Sequence, residues 1–121
     1  MAKLGIMGFA GISNTACGAI IGDTATGLVA TGATQATALP LPAVNNFVAT
    51  AAAATGAILL AGSASDAVTV YNGGANALLV YPPVGGVINS LAANTAVSIA
   101  TLKSASFVYS APLNMMSILS A

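Results

Sequence analysis

The run Ala67-Val68-Thr69-Val70-Tyr71-Asn72-Gly73-Gly74-Ala75-Asn76-Ala77-Leu78-Leu79-Val80-Tyr81 decides the fold class. Val, Thr and Tyr are β-formers, because branched and aromatic side chains suit a pleated, half-buried surface. The Asn-Gly-Gly-Ala-Asn centre holds residues that accept the positive φ angles of a tight connection. Taken locally, the stretch predicts a β-hairpin, with strands over 67–71 and 77–81 and a turn over 72–76. Pro82-Pro83 then ends the second strand, since neither nitrogen can donate to a ladder, and Gly85-Gly86 permits a sharp change of direction. Period-two alternation puts Val68 with Val70, Leu78 with Val80, and Phe107 with Tyr109 on common faces, as core or interface residues.

Outward from this unit the same grammar repeats. Short apolar or β-branched runs separated by Pro, Gly or Asn predict further strands over 44–50, 56–60, 96–100, 105–110 and 114–119. The segment Leu91 to Ala100 has helix-forming Leu and Ala, but Asn94-Thr95 followed by Val97 and Ile99 favours a turn and then a strand. Ala51 to Ala54 is too short for a helix, lying between Thr50 and Thr55-Gly56, and reads as a loop or strand edge. The expected architecture is all-β, an antiparallel β-sandwich or jelly-roll-like domain over 34–121. Residues 1–33 show neither period and read as an extended N-terminal arm rich in Gly, Ala and Thr. Ala-Thr-Gly recurs at 25–27, 30–32 and 54–56, and this uneven spacing indicates biased composition and not a solenoid repeat.

Charge is nearly absent. Lys3, Asp23, Asp66 and Lys103 are the only charged side chains among 121 residues, 3% of the chain with a net charge of zero, where soluble domains carry about 25%. Thr, Ser, Asn, Gly and Ala must cover the exterior, and no net charge keeps copies apart. With 57% hydrophobic residues, the composition predicts a homo-oligomer. Two lysines and no arginine exclude phosphate-backbone binding, so no direct nucleic-acid contact is expected. The same scarcity argues against attraction to an anionic membrane.

A mean hydropathy of +0.94 raises the question of a membrane span. The strongest candidate, Phe47 to Gly62, is short of the roughly 20 residues a span needs, and its Ala, Thr and Gly contribute little transfer energy. No membrane association is expected. At the N-terminus, Lys3 followed by apolar residues and small residues near Ala16 to Ala19 imitates a signal peptide. Gly5, Gly8 and Gly11 break the apolar run, and Ser13-Asn14-Thr15 interrupts it, so an arm is the better reading.

Residues able to do chemistry are missing. There is no His and no Glu, and neither Asp23 nor Asp66 has a partner nearby in sequence; Asp66 reads as a solvated turn before the Val68 strand. Cys17 has no activating His and no second Cys, and reads as a small buried hydrophobe. One Cys and two distant Asp make no metal ligand set. The Gly-containing stretches 72–76 and 82–86 lack both a dinucleotide fingerprint and the Lys-Ser/Thr of a P-loop, and read as turns. Tyr71, Tyr81 and Tyr109 with Phe107 are the candidates for a carbohydrate or base-stacking platform, but aromatics are only 5% of the chain and core packing is the simpler use. The expectation is a non-enzyme with no catalytic, cofactor-binding or metal site.

The run from Val70-Tyr71-Asn72-Gly73-Gly74-Ala75-Asn76 through Val80-Tyr81-Pro82-Pro83-Val84-Gly85-Gly86-Val87-Ile88-Asn89 resembles small virion proteins of tailed bacteriophages. The similarity extends from about Asp66 to Leu119. Asn114-Met115-Met116 stands where a Trp is expected near the final strand. The resemblance implies a β-sandwich or jelly-roll-like subunit of a head or tail, often trimeric. A capsid decoration or cement protein on the head surface, bound to the major capsid protein or other virion proteins, suits it first. A tail or fibre module that binds a receptor or glycan is the alternative.

Overall fold

In the computed structural model the described residues are 23–120. They form ten strands: β1 (Thr24–Val29), β2 (Leu39–Pro40), β3 (Asn45–Thr50), β4 (Gly56–Ile58), β5 (Ala67–Asn72), β6 (Leu78–Tyr81), β7 (Val87–Ile88), β8 (Val97–Ile99), β9 (Ser104–Ala111) and β10 (Asn114–Leu119). A single 3₁₀ turn, Gln35–Thr37, lies between β1 and β2, and no α-helix occurs among the described residues. The protein is all-β, and all seven strands expected from residue patterns are present at nearly the expected bounds. Ala51 to Ala54 is a non-helical connection whose last residue takes a φ of 60°.

The strands belong to two sheets. One has the order β1-β3-β5-β9-β10-β7, the other β2-β4-β6-β8. From β1 to β6 the chain alternates between them, and each new strand lies parallel to the one laid down a turn earlier: β1 with β3, β3 with β5, β2 with β4 and β4 with β6. This is the winding of a β-solenoid, in which each coil covers the one before it. Thr24, Asn45 and Thr69 stand in one row, steps of 21 and 24 residues (45 less 24, 69 less 45). On the opposite sheet Leu39, Ala57 and Val80 stand in another, with steps of 18 and 23 (57 less 39, 80 less 57).

The expected antiparallel sandwich or jelly roll is therefore corrected in its topology. Antiparallel strand pairs all involve the C-terminal strands, where β8 pairs with β6, β9 with β5 and β10 with β9, and the remaining antiparallel contact is a single bridge between Thr31 and Gly56. The winding also overturns the reading against a solenoid. The Ala-Thr-Gly echoes are not its period: coils of unequal length leave no fixed sequence interval, and residues 25–27 sit within β1 whereas 54–56 lead into β4.

The expected hairpin at 67–81 is the second correction. Both strands exist, but β5 lies in the larger sheet and β6 in the smaller, and they do not pair. Their inward side chains, Val70 and Asn72 on β5 and Leu78 and Val80 on β6, are fully buried between the sheets. The 72–76 connection is thus a corner. The Asn72 side chain turns inward and donates from Nδ2 to the carbonyls of Asn76 (2.8 Å) and Ile99 (2.9 Å), while its Oδ1 accepts from the Gly74 N–H (2.9 Å). Gly74 is required by close approach, because a Cβ there would lie 2.4 Å from the Ala51 nitrogen. The hairpin that does form joins β9 to β10 through Pro112 and Leu113.

Residues 1–22 lie outside the described residues, and with them Cys17, the signal-peptide question and most of the expected arm. The described end of that segment, Thr24–Val29, is edge strand β1 of the larger sheet.

The core between the sheets is mainly aliphatic, built from Leu41, Val48, Leu59, Val70, Leu78, Val80, Ile88, Ile99 and Met115 around the ring of Phe107, each almost wholly removed from water. Burying a side chain of this size contributes roughly 1.5–3 kcal/mol. Phe107 and Tyr109 share the inward face of β9, as alternation requires. Every buried side-chain nitrogen or oxygen among the described residues has a hydrogen-bond partner, so the uncharged polar residues inside do not carry an unmatched desolvation cost.

Candidate interaction surface

The three described charged residues are dispersed. Asp23 precedes β1, Asp66 precedes β5 with β3 lying between those strands, and Lys103 is exposed in the turn before β9. No group of three His, Cys, Asp or Glu side chains occurs among the described residues. The expectation that Asp66 is a freely solvated turn residue needs refinement. It is half-buried, its Oδ2 accepts from the Ser63 N–H (2.8 Å), and its own N–H donates to the Ser63 carbonyl (3.0 Å). This reciprocal turn abuts Tyr109, whose hydroxyl donates to the Leu60 carbonyl (2.5 Å). Burial pushes the Tyr109 phenol up to about 12, with a further push from the Asp66 charge.

The four aromatics named as a stacking platform are not brought together. Phe107 and Tyr109 are inside the core. Tyr71 packs against Phe47 on the outer face of the larger sheet, rings 5.9 Å apart and tilted by 51°. Tyr81, on the smaller sheet, reaches the Ala33 carbonyl (3.4 Å). A small cavity of about 260 Å³ lies beside β7 and β10, lined by Val87, Ser90, Ser110, Asn114, Met115 and Met116, and none of these ionises near neutrality. It is smaller than the roughly 300–1,000 Å³ typical of small-molecule sites.

What remains is a surface. Alternation along β9 and β10 turns Val108, Met116 and Ile118 outward, where they are 41%, 65% and 69% exposed. Val108 pairs directly with Met116, and Ala67 of β5 lies on the other side of Val108. The neighbouring row, Asn45-Thr69-Ser106-Ile118, is uncharged and is polar up to Ile118, its Thr69 and Ser106 hydroxyls 3.3 Å apart. Phe47 and Tyr71 continue the apolar surface toward β3. No charged residue lies within β3, β5, β9 or β10.

The edge beside this face is partly closed. β7 covers only Asn114 and Met115 of β10. Beyond it, Asn89 replaces a strand: its Oδ1 accepts from the Ser117 N–H (2.8 Å) and its Nδ2 donates to Ser117 Oγ (2.6 Å). A side chain in the place of a ladder blunts an edge that would otherwise template further pairing.

Sequence reasoning identified Phe107, Tyr109 and the strand alternation, but assigned neither Met116 nor Ile118 to a surface. Their signal was present in the β10 pattern, where apolar residues occupy both faces of Met115-Met116-Ser117-Ile118-Leu119. No helix of the described residues is long and apolar enough to cross a membrane, and Phe47 to Gly62 contains most of β3, a turn and β4. Neither a known protein family, nor a curated protein, nor a solved structure matches this chain.

Proposed function

We propose that this chain is a non-catalytic structural subunit that works in many copies within a bacteriophage particle, first as a head decoration or cement protein. In this role it associates with itself, as a trimer, and binds the major capsid protein or neighbouring virion proteins. The observation that carries the reading is the uncharged outer face of the larger sheet, with Val108, Met116 and Ile118 exposed on it. Apolar side chains grouped on a surface mark a contact region, and a neutral face can be covered without stripping water from ions. The phage assignment rests on the resemblance of residues 66–119 to tailed-phage virion proteins.

A wound two-sheet subunit suits repeated use. Its stability is built from coil-on-coil contacts, and each weak surface contact gains from multiplicity once several copies are joined.

Cryo-electron microscopy of the particle whose genome encodes the chain tests the assignment. Density of this fold over head capsomers, with the β9–β10 face against a neighbour, is the expected result. Density confined to the tail would move the chain to the alternative role in host attachment. Absence from the purified particle would reject the virion assignment.

A further inference from the structure

Asn72-Gly73 is the one Asn-Gly step in the chain. Such a step is the most labile asparagine in ordinary polypeptide: the following glycine puts no side chain in the way of its own nitrogen as that nitrogen attacks the asparagine amide carbon. Yet the fold places it at a corner held by several hydrogen bonds. Asn72 is fully buried at the end of β5. Both its side-chain polar atoms are engaged, by Asn76, Ile99 and Gly74. The attacking atom is also held, because the Gly73 N–H donates to the Val48 carbonyl at 2.8 Å. The backbone of Asn72 is tied on both sides, its N–H to the Lys103 carbonyl (2.9 Å) and its carbonyl to the Leu102 N–H (2.7 Å).

We propose that Asn72 is a latent deamidation site which the fold holds silent, and whose reaction converts transient opening of this corner into irreversible loss of the fold. The Gly73 nitrogen would form a bond to Asn72 Cγ and lose its proton to solvent, and Nδ2 would leave as ammonia. Water then opens the resulting succinimide to aspartate or isoaspartate. In the closed corner the nitrogen is bonded to Val48 and the leaving amide is bonded to two carbonyls, so reaction requires the β5–β6 corner to open. Core elements are open only a small fraction of the time, on the order of one part in a thousand or less, and the reaction slows by about that factor.

The product does not fit the site it left. Conversion removes both Nδ2–H donors and directs a carboxylate at the carbonyls of Asn76 and Ile99 in a position sealed from water, and a buried charge without a partner is strongly disfavoured. Isoaspartate also lengthens the main chain by one carbon where β5 is in register with both β3 and β9. Modification after opening therefore traps the chain outside its native state.

The exposed Asn89-Ser90 step provides an internal reference, at a turn where both residues have positive φ: its side-chain amide is bonded to Ser117, but unlike the Gly73 nitrogen the attacking Ser90 nitrogen makes no hydrogen bond among the described residues. In unfolded peptide an Asn-Gly step reacts ahead of an Asn-Ser step. The full chain is incubated in mildly alkaline buffer, once native and once in denaturant, and peptide mapping by mass spectrometry follows both sites. The expected result is an inversion: Asn72 reacts first in denaturant, whereas in native buffer Asn89 reacts and Asn72 stays intact. Equal order in the two conditions would overturn the proposal. Aliquots from denaturant are then refolded and separated into folded and unfolded fractions. The expected result is that modified Asn72 is found only in the unfolded fraction; modified chains recovered with native stability would overturn the trapping step. Neither outcome depends on the virion assignment, because the assay uses the isolated chain.

Discussion

Replacing Asn72 by alanine tests the corner that separates the two sheets. Asn72→Ala removes three hydrogen bonds, of which those to the Ile99 carbonyl and from the Gly74 N–H are buried and that to Asn76 is partly so. A buried polar group left without its partner costs about 1–3 kcal/mol, and a partly solvated one less. The three together predict a loss of about 3–5 kcal/mol, a large part of the roughly 5–15 kcal/mol available to a small domain. In urea, with a slope of about 1–3 kcal/mol per molar, the unfolding midpoint falls by about 1–5 M. Thr55→Ala is the control, since it removes one exposed local bond to the Ala52 carbonyl, and is expected to cost about 0.5–1.5 kcal/mol. If Asn72→Ala shifts the midpoint no more than Thr55→Ala, the corner does not depend on this side chain and the reasoning fails.

Leu78→Ala, at a fully buried position of β6, is expected to cost about 2–5 kcal/mol in the same assay. Gly74→Ala drives a Cβ into the backbone of Ala51 and is expected to destabilise by about 1–3 kcal/mol or more; unchanged stability would show that the corner yields. Tyr109 makes stability fall with alkali. Its folded-state pKa, about 12, lies above the ordinary 10.0, so only the unfolded chain ionises in between. The contribution is complete below pH 10 and is lost as pH rises toward 12, by about 1–2 kcal/mol after allowance for solvent near the hydroxyl. Denaturation of Tyr109→Phe, which lacks that ionisation, is the comparison and should show a flatter decline. Met116→Lys with Ile118→Lys is expected to abolish self-association in sedimentation, while monomer stability changes by only about 0.5 kcal/mol; unaltered association would remove the β9–β10 face as the contact.

Seven strands were legible because each is a short β-forming run with Pro, Gly or Asn at its ends. The strands that escaped notice lack that signal. β2 and β7 have two residues each, and β1 reads Thr-Ala-Thr-Gly-Leu-Val, with small residues and a glycine inside it. The scarcity of charge was also legible, since it is counted directly from four charged side chains in the sequence. The apolar surface was not, because Met116 and Ile118 carry the same hydrophobic signature as the buried Met115, and only the position of β10 in its sheet distinguishes outward from inward.

The chain's residues by themselves determined an all-β fold, the alternation of its faces and an exterior almost free of charge, because these follow from side-chain shape and solvation one residue at a time. Which strands are neighbours was decided only by the tertiary structure. Asn72-Gly73-Gly74 is chemically competent to close a hairpin, and local sequence favours one. Burial of Val70, Asn72, Leu78 and Val80 from both sides, with β3 beside β5 and β4 beside β6, instead makes that turn a corner between two stacks. Those contacts join residues more than 20 positions apart, and their free energy is realised only when the coils lie upon one another.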